Sequence, residues 1–220
     1  MPKYSAIIFD MDGLMVDTEP LSRQAWDEWL RPYNAQLSDE LQANIIGLRG
    51  DVSAPLIRAA FNISLPVEEI LAQRRVVYDQ IMAHGVPVMP GLLELQAEIA
   101  ARGIPWAVAS SSGRAHVEAI LAQLNLADKV YATACGDEVA HGKPAPDLYL
   151  LAAERLGIPP AQCLALEDSG PGSRAAVAAG MFTIAIPNGH TLGADFSHAD
   201  AIYSSLYEVV TNLDQLIAAR

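Results

Sequence analysis

The chain has 220 residues and a formal charge of −12, which gives room for one large domain or a domain with a small companion. Its composition is 51% apolar and 18% charged, which is globular rather than disordered. The acidic balance and the lack of a basic cluster argue against nucleic-acid binding through phosphates, so an anionic substrate has to be met locally, by a metal or a few placed cations.

No apolar run is long enough to span a bilayer. The opening MPKYSAIIFD lacks the charged head, long apolar stretch and cleavage site of a signal peptide. Cys135 and Cys163 lie far apart, without metal-type spacing, and read as buried thiols. The expectation is a soluble, cytoplasmic monomer with neither a membrane nor a nucleic acid as partner.

The first element is SAIIFD (5–10), short, apolar and β-rich, as in a strand buried on both faces. Residues 18–87 then carry helical patterns alone, at 19–30, 38–46, 53–61 and 66–83. That stretch is too long for a loop in a compact domain. It reads as a small helical domain inserted after the first strand, with GVPVMPG (85–91) as a hinge at its exit.

Beyond residue 88 strands and helices alternate. A helix at 91–103, striped by Leu92, Leu95 and Ile99, stops at Gly103. The strand IPWAVAS (104–110) precedes a helix at 112–125 with Ser112 as its expected N-cap. The strand KVYATA (129–134) precedes a helix at 146–157, with Pro146 in its first position and Gly157 at its end. Then come the strand CLALED (163–168), a helix at 171–180, the strand FTIAIP (182–187), a short strand at 201–204 and a helix at 204–219. This alternation predicts an α/β fold, a parallel sheet with helices on both faces. Residues 1–17 and 88–220 would form the core and 18–87 the helical insert.

Chemistry gathers where these strands end, which is where open parallel sheets bind ligands. The first strand runs into DMDG, the second into SSSG, and the fourth into Glu167-Asp168, while Lys143 lies in the Pro/Gly-rich HGKPAP. Strand periodicity, if it persists that far, sets Asp10 and Asp12 side by side. Asp10, Glu167 and Asp168 are hard oxygen ligands suited to Mg²⁺, and a cation would cancel the repulsion among them. Lys143 adds positive charge, Ser110 can hydrogen-bond a phosphate oxygen, and the backbone N–H groups around Ser111, Ser112 and Gly113 can bind more of them. Asp10 is then free to attack phosphorus as a nucleophile, and Asp12 to move the proton. Gly13, in the turn after Asp12, and Ser111 are grouped with the substrate-binding residues.

In this order, FDMDGLMVDTE, Ser110 after WAVA, GKPAPD and LEDSGPGSRAAVAAGM resemble the four motifs of the haloacid dehalogenase superfamily. The resemblance is greatest to its phosphatase and β-phosphoglucomutase-like branch with a helical cap. It implies a Rossmann-like core with the insert as cap and a small phosphorylated metabolite as substrate. It also implies Asp10 as nucleophile, Asp12 as general acid/base, and Ser110 and Lys143 on the phosphoryl group. Mg²⁺ would be held by Asp10, the backbone carbonyl of Asp12, and Asp168, with Glu167 close by. Dehalogenases of the family usually lack the second aspartate. The mutases typically carry a histidine ten residues beyond it, where Ser22 stands here, and a lysine from the last cap helix, near where Tyr78 stands. These departures favour hydrolysis over mutase action. A non-catalytic acyl-phosphate receiver is the alternative from another class, and it has no use for Asp12 or for a cap.

In the insert, Glu19 and Arg49 are the candidates for substrate recognition, Arg49 against the alternative of a surface ion pair. Trp26 and Trp29, three apart on a helix, read as core, and Arg74 and Arg75 as a solvated helix face. Asn188 reads as a turn residue, against the alternative of lining the pocket, and His141 as loop packing, and none of the histidines shows ligand spacing.

Overall fold

The computed structural model describes residues 4–46 and 48–217. A single parallel sheet is built from β1 (Ala6–Phe9), β2 (Trp106–Ser110), β3 (Ala132–Cys135), β4 (Cys163–Glu167), β5 (Phe182–Ala185) and β6 (Ala201–Ile202). Their order is β3-β2-β1-β4-β5-β6. Every segment read as a strand from the sequence contributes one. The chain winds outward from β1 to β3, then returns to β1's other side for β4. The carboxyl ends of β1, β2 and β4 therefore flank the place where the winding reverses, which is the binding crevice of open α/β sheets.

Alternation along the strands gives the two faces different characters. Ile7, Phe9, Trp106, Val108, Leu164 and Leu166 point to one face. They pack under α5 (Leu92–Arg102), α6 (Arg114–Gln123) and α9 (Leu206–Leu216). The opposite face is nearly all small: Ala6, Ala107, Ala109, Cys163 and Ala165, with Ile8. Small side chains let α7 (Asp147–Leu156) and α8 (Gly170–Ala178) approach the sheet closely, and the buried ring of Tyr149 fills the space between. Each large side chain buried this way contributes about 1.5–3 kcal/mol. Both cysteines are free and buried, and burial pushes their thiols up to about 11.

The insert consists of α1 (Glu19–Leu30), α2 (Asp39–Ile45), α3 (Gly50–Ala60) and α4 (Val67–Met82). These helices enclose an apolar cluster of their own around Trp29, Leu30, Ile57 and Ile70. Trp26 and Trp29 meet edge to face, 5.8 Å apart, and both are buried as expected. The outgoing and returning chains pair where they cross: Val16 bridges Val88, Asp17 N donates to Pro87 O, and Met89 N donates to Met15 O. Residues 85–91, expected as a hinge, are thus tied to the end of the first motif.

The helix ends follow the sequence in part, and Pro146 is the N-cap of α7 instead of its first residue. Gly103 and Gly157 are left-handed C-caps. Ser112, however, does not cap α6. The helix starts at Arg114, whose N–H is taken by Asp137, while the Ser112 hydroxyl turns to Asp12. The last helix ends at Leu216, and positions 218 and 219 of its expected range lie outside the described residues. Among the described residues, no helix is long and apolar enough to cross a membrane.

Candidate active site

Register brings the candidate residues together. Phe9 pairs with Val108 on one side and Leu166 on the other. Asp10 therefore lies level with Glu167, and Ser110 sits at the adjacent strand end. The segment between β3 and α7 delivers Lys143. Its ammonium lies 2.5 Å from both Asp10 Oδ1 and Glu167 Oε1, and all three residues are buried. Burial disfavours the ammonium charge, but the two carboxylates prevail and hold it protonated above its ordinary range.

Glu167 is fully committed within the protein. Oε1 accepts from Lys143 and from the Tyr149 hydroxyl at 2.9 Å, and Oε2 accepts from the Ser169 N–H and hydroxyl. The start of α8 presses so closely here that a Cβ on Gly172 would stand 1.7 Å from Glu167 Oε1. Asp168 is different. Oδ2 accepts from Asn188 Nδ2 at 2.8 Å, while Oδ1 is buried without a partner. The same Asn188 amide donates to the Gly13 carbonyl at 2.9 Å, so Asn188 is more than the turn residue expected of it. Gly13 has a φ of +92°, and a Cβ there would lie 2.3 Å from Asp168 Oδ2. Glycine is required at this position for both reasons.

Asp10, Glu167 and Asp168 offer oxygens that all lie within 4.8 Å of one another. Burial pushes the Asp10 carboxyl up to about 8, against the pull of Lys143 and with the help of Glu167 and Asp12. Asp168 is raised well above its ordinary range by burial, then by the charges of Asp10 and Glu167. An orphaned buried oxygen within a cluster of hard, mutually repelling carboxylates fits a divalent cation.

The strand geometry on which the expected placement of Asp10 beside Asp12 depends does not persist to Asp12. β1 stops at Phe9, and a tight turn follows in which Met15 N and Val16 N donate to Met11 O. The two carboxylates have separate partners. Asp12 Oδ1 accepts from Thr18 Oγ1 at 2.9 Å and from His116 Nε2 at 3.0 Å. Its Oδ2 accepts from Ser110 Oγ at 3.1 Å and Ser112 Oγ at 2.9 Å. Burial raises this carboxyl, but His116, Thr18 and Ser112 outweigh it and hold it below the usual carboxylate range.

Asp10 and Asp12 face a cavity of about 480 Å³ between the sheet edge and the insert. Ser111, Glu19 and Arg49 line it as well. Glu19 Oε2 accepts from Gln42, whose own Oε1 is buried without a partner. Burial, then the charge of Asp12, pushes Glu19 up to about 7. Arg49 spans the cavity's edge: Nη1 donates to Gly136 O and Val139 O at 3.0 and 2.9 Å, and the guanidinium pairs with Asp51.

Arg74 overturns the reading of a solvated helix face. Its guanidinium lies over the rings of Trp26 and Tyr78, 5.0 and 4.6 Å from their centroids, and donates to Ser22 Oγ at 2.7 Å. Its Nε is buried without a partner. Arg75, one residue on, is exposed and pairs with Asp79, as a surface residue should. His141 is exposed beside Asp147. Sequence reasoning does not single out the side chains of Thr18, His116, Arg74 and Tyr149 as site residues, and it uses Ser112 for its backbone N–H and not for its hydroxyl. His116 and Tyr149 carried a signal, as polar side chains set within apolar helical stripes.

A parallel α/β sheet with an acidic cluster and a lysine at its carboxyl edge, closed by a helical insert, defines a class of hydrolase. The model of the haloacid dehalogenase-like hydrolases matches residues 4–180, and the chain belongs to that family. It is 35% identical over 210 residues to the "Probable pseudouridine-5'-phosphatase" of Drosophila melanogaster, covering 93% of this chain and 90% of that one. It is 36% identical to the fructose-1-phosphate phosphatase YqaB of Escherichia coli, with 81% of this chain and 94% of the relative covered. The crystal structure of CbbY from Rhodobacter sphaeroides in complex with phosphate superposes with a TM-score of 0.85 at 31% identity, covering 94% and 96% of the two chains.

Proposed function

We propose that this protein is a Mg²⁺-dependent phosphatase that hydrolyses the phosphomonoester of a small metabolite through an aspartyl-phosphate on Asp10. The observation that carries this reading is the division of labour between two carboxylates facing one cavity. Asp10 is held by Lys143, and Asp12 by hydroxyls and an imidazole.

The Asp10 carboxylate attacks phosphorus, the bond to the leaving alcohol breaks, and the alcohol oxygen takes a proton from Asp12, which has to be protonated in the substrate complex to serve as this acid. Water then attacks the phosphorus, Asp12 takes the water's proton, and the acyl-phosphate bond breaks to release phosphate and restore Asp10. Lys143 and Ser110 bind the phosphoryl oxygens, and Ser111 presents its backbone N–H. Mg²⁺, when bound by Asp10, Asp168 and the backbone carbonyl of Asp12, supplies the positive charge that keeps Asp10 ionised beside a phosphate. Glu167 fits a supporting role, since Lys143, Tyr149 and Ser169 already occupy its oxygens.

Residues 18–87 would act as a cap that shuts water out and reads the leaving group. Glu19, Gln42 and Arg74 offer it hydrogen bonds, which suits the hydroxyls of a sugar phosphate or nucleoside monophosphate. Arg49, bound to the core carbonyls of Gly136 and Val139, is better placed to hold the cap down. The position where the mutases have a histidine is Ser22, and its hydroxyl is engaged by Arg74, which supports hydrolysis. A simple receiver has no use for a cavity of this size.

The test is phosphate release from sugar phosphates, nucleoside monophosphates and p-nitrophenyl phosphate, with and without Mg²⁺. Turnover should need the metal and vanish in a folded Asp10→Asn variant. Glucose 6-phosphate formed from β-glucose 1-phosphate would favour the mutase instead.

A further inference from the structure

His116 belongs to none of the strand-end motifs. It lies in the first turn of α6, buried next to Val117, yet its Nε2 is 3.0 Å from Asp12 Oδ1. The Asp12 carboxylate can only accept, so Nε2 carries the hydrogen and donates it. The other side of the imidazole meets the insert: the rings of His116 and Tyr78 are 5.5 Å apart, with 36° between their planes. One buried ring thus touches a carboxylate of the sheet edge and an aromatic residue of α4.

The remaining contacts of Asp12 give this geometry its consequence. The second donor to Oδ1 is Thr18, the residue at which the chain enters α1. The donors to Oδ2, Ser110 and Ser112, belong to the end of β2 and the loop after it. Both donors to Oδ1 therefore touch the insert, Thr18 through the chain itself and His116 through the tilted ring of Tyr78. Fixing Oδ1 fixes the carboxylate plane and leaves Oδ2 on the side of the phosphate-binding serines.

We propose that His116, seated by Tyr78, is a positioning residue that holds Asp12 in line for proton transfer when α4 lies over α6. The inference rests on the phosphatase reading, in which Asp12 moves the proton. The ionised Asp12 seen here is the form that acts as base in the second half-reaction, where the effect can be isolated. p-Nitrophenolate departs without a proton, so attack by Asp10 on p-nitrophenyl phosphate does not depend on Asp12. Hydrolysis of the acyl-phosphate needs Asp12 as base.

The experiment is rapid-mixing kinetics of the full chain with Mg²⁺ and p-nitrophenyl phosphate, comparing wild type with His116→Ala, His116→Gln and Tyr78→Leu. General acid–base catalysis is worth about 10²–10⁴-fold, so partial misplacement of Asp12 in His116→Ala should slow steady-state turnover by about 10- to 100-fold. The initial burst of p-nitrophenolate should persist, KM should not rise, and phosphorylated Asp10 should accumulate in the intact mass. Glutamine, which extends an N–H about as far as Nε2, should restore most of the turnover. Tyr78→Leu should show a smaller version of the same split. If alanine does not fold, the glutamine and leucine variants carry the comparison.

A burst and turnover that fall together, no change in either, or glutamine as poor as alanine would overturn the assignment. Failure of the phosphatase reading would look different: wild-type enzyme would release no phosphate and form no adduct, and both proposals would fall.

Discussion

Asn188 Nδ2 lies 2.8 Å from Asp168 Oδ2, and this bond leaves Oδ1 as the oxygen without a partner. The amide also grips the Gly13 carbonyl, so one side chain from the loop after β5 aligns the end of β4 with the first motif. Groups that orient a metal ligand typically change metal affinity by about 10- to 100-fold when removed. Asn188→Ala should weaken Mg²⁺ binding by about that factor, read as loss of the Mg²⁺-induced rise in thermal midpoint. An unchanged midpoint shift would remove Asn188 from the metal site.

Arg74 should set affinity for the leaving group. Hydrogen bonds to charged groups are worth about 1.5–3 kcal/mol, so Arg74→Met should lower kcat/KM for the best sugar phosphate by about 10- to 100-fold. p-Nitrophenyl phosphate, with no hydroxyl to offer, should lose far less. Equal losses on both substrates would assign Arg74 to the insert's own packing.

Lys143 should be as important to folding as to chemistry. Removing one partner of a buried ion pair costs about 3–5 kcal/mol, because the other charge stays buried and uncompensated. Lys143→Met should therefore abolish turnover and lower chemical stability by about that amount in the metal-free protein. Adding Glu167→Gln should recover part of the stability and none of the activity, as equilibrium denaturation and phosphate release would show.

Glu19 gives a pH signature. Its ordinary value is 4.5, and burial, followed by the charge of Asp12, raises it to about 7 in the folded chain. The folded state thus holds a proton that the unfolded state has released between those values. Its stabilising effect is complete below about pH 4.5 and is lost as pH rises through 7. Glu19→Gln has no such proton to lose, so its thermal midpoint should gain on wild type as pH is raised from 5 to 8. A difference that stays constant with pH would place Glu19 in ordinary solvent.

How much of this was legible in the sequence depends on the range of each signal. β1, β2 and β4 are short apolar runs, and the charged and hydroxyl residues at their ends stand out against them, so Asp10, Ser110, Lys143 and Glu167-Asp168 could be gathered before any coordinates. The placement of Asp12 was not legible, because it is set by the turn at 12–16 and by hydroxyls about a hundred residues away. Arg74 misled for a physical reason. Two adjacent arginines on a helix look solvated, and only the rings of Trp26 and Tyr78, brought together by α1 and α4, turn the first of them inward. Asn188 could be read as a turn residue because its contacts are to Asp168 and to Gly13, which is 175 positions away.

The most direct test of the account is mass spectrometry of enzyme quenched during turnover with Mg²⁺ and substrate. The account predicts one phosphoryl adduct, labile to base, on the peptide that carries Asp10, and none in Asp10→Asn. An adduct on another residue, or full turnover by Asp10→Asn, would contradict it.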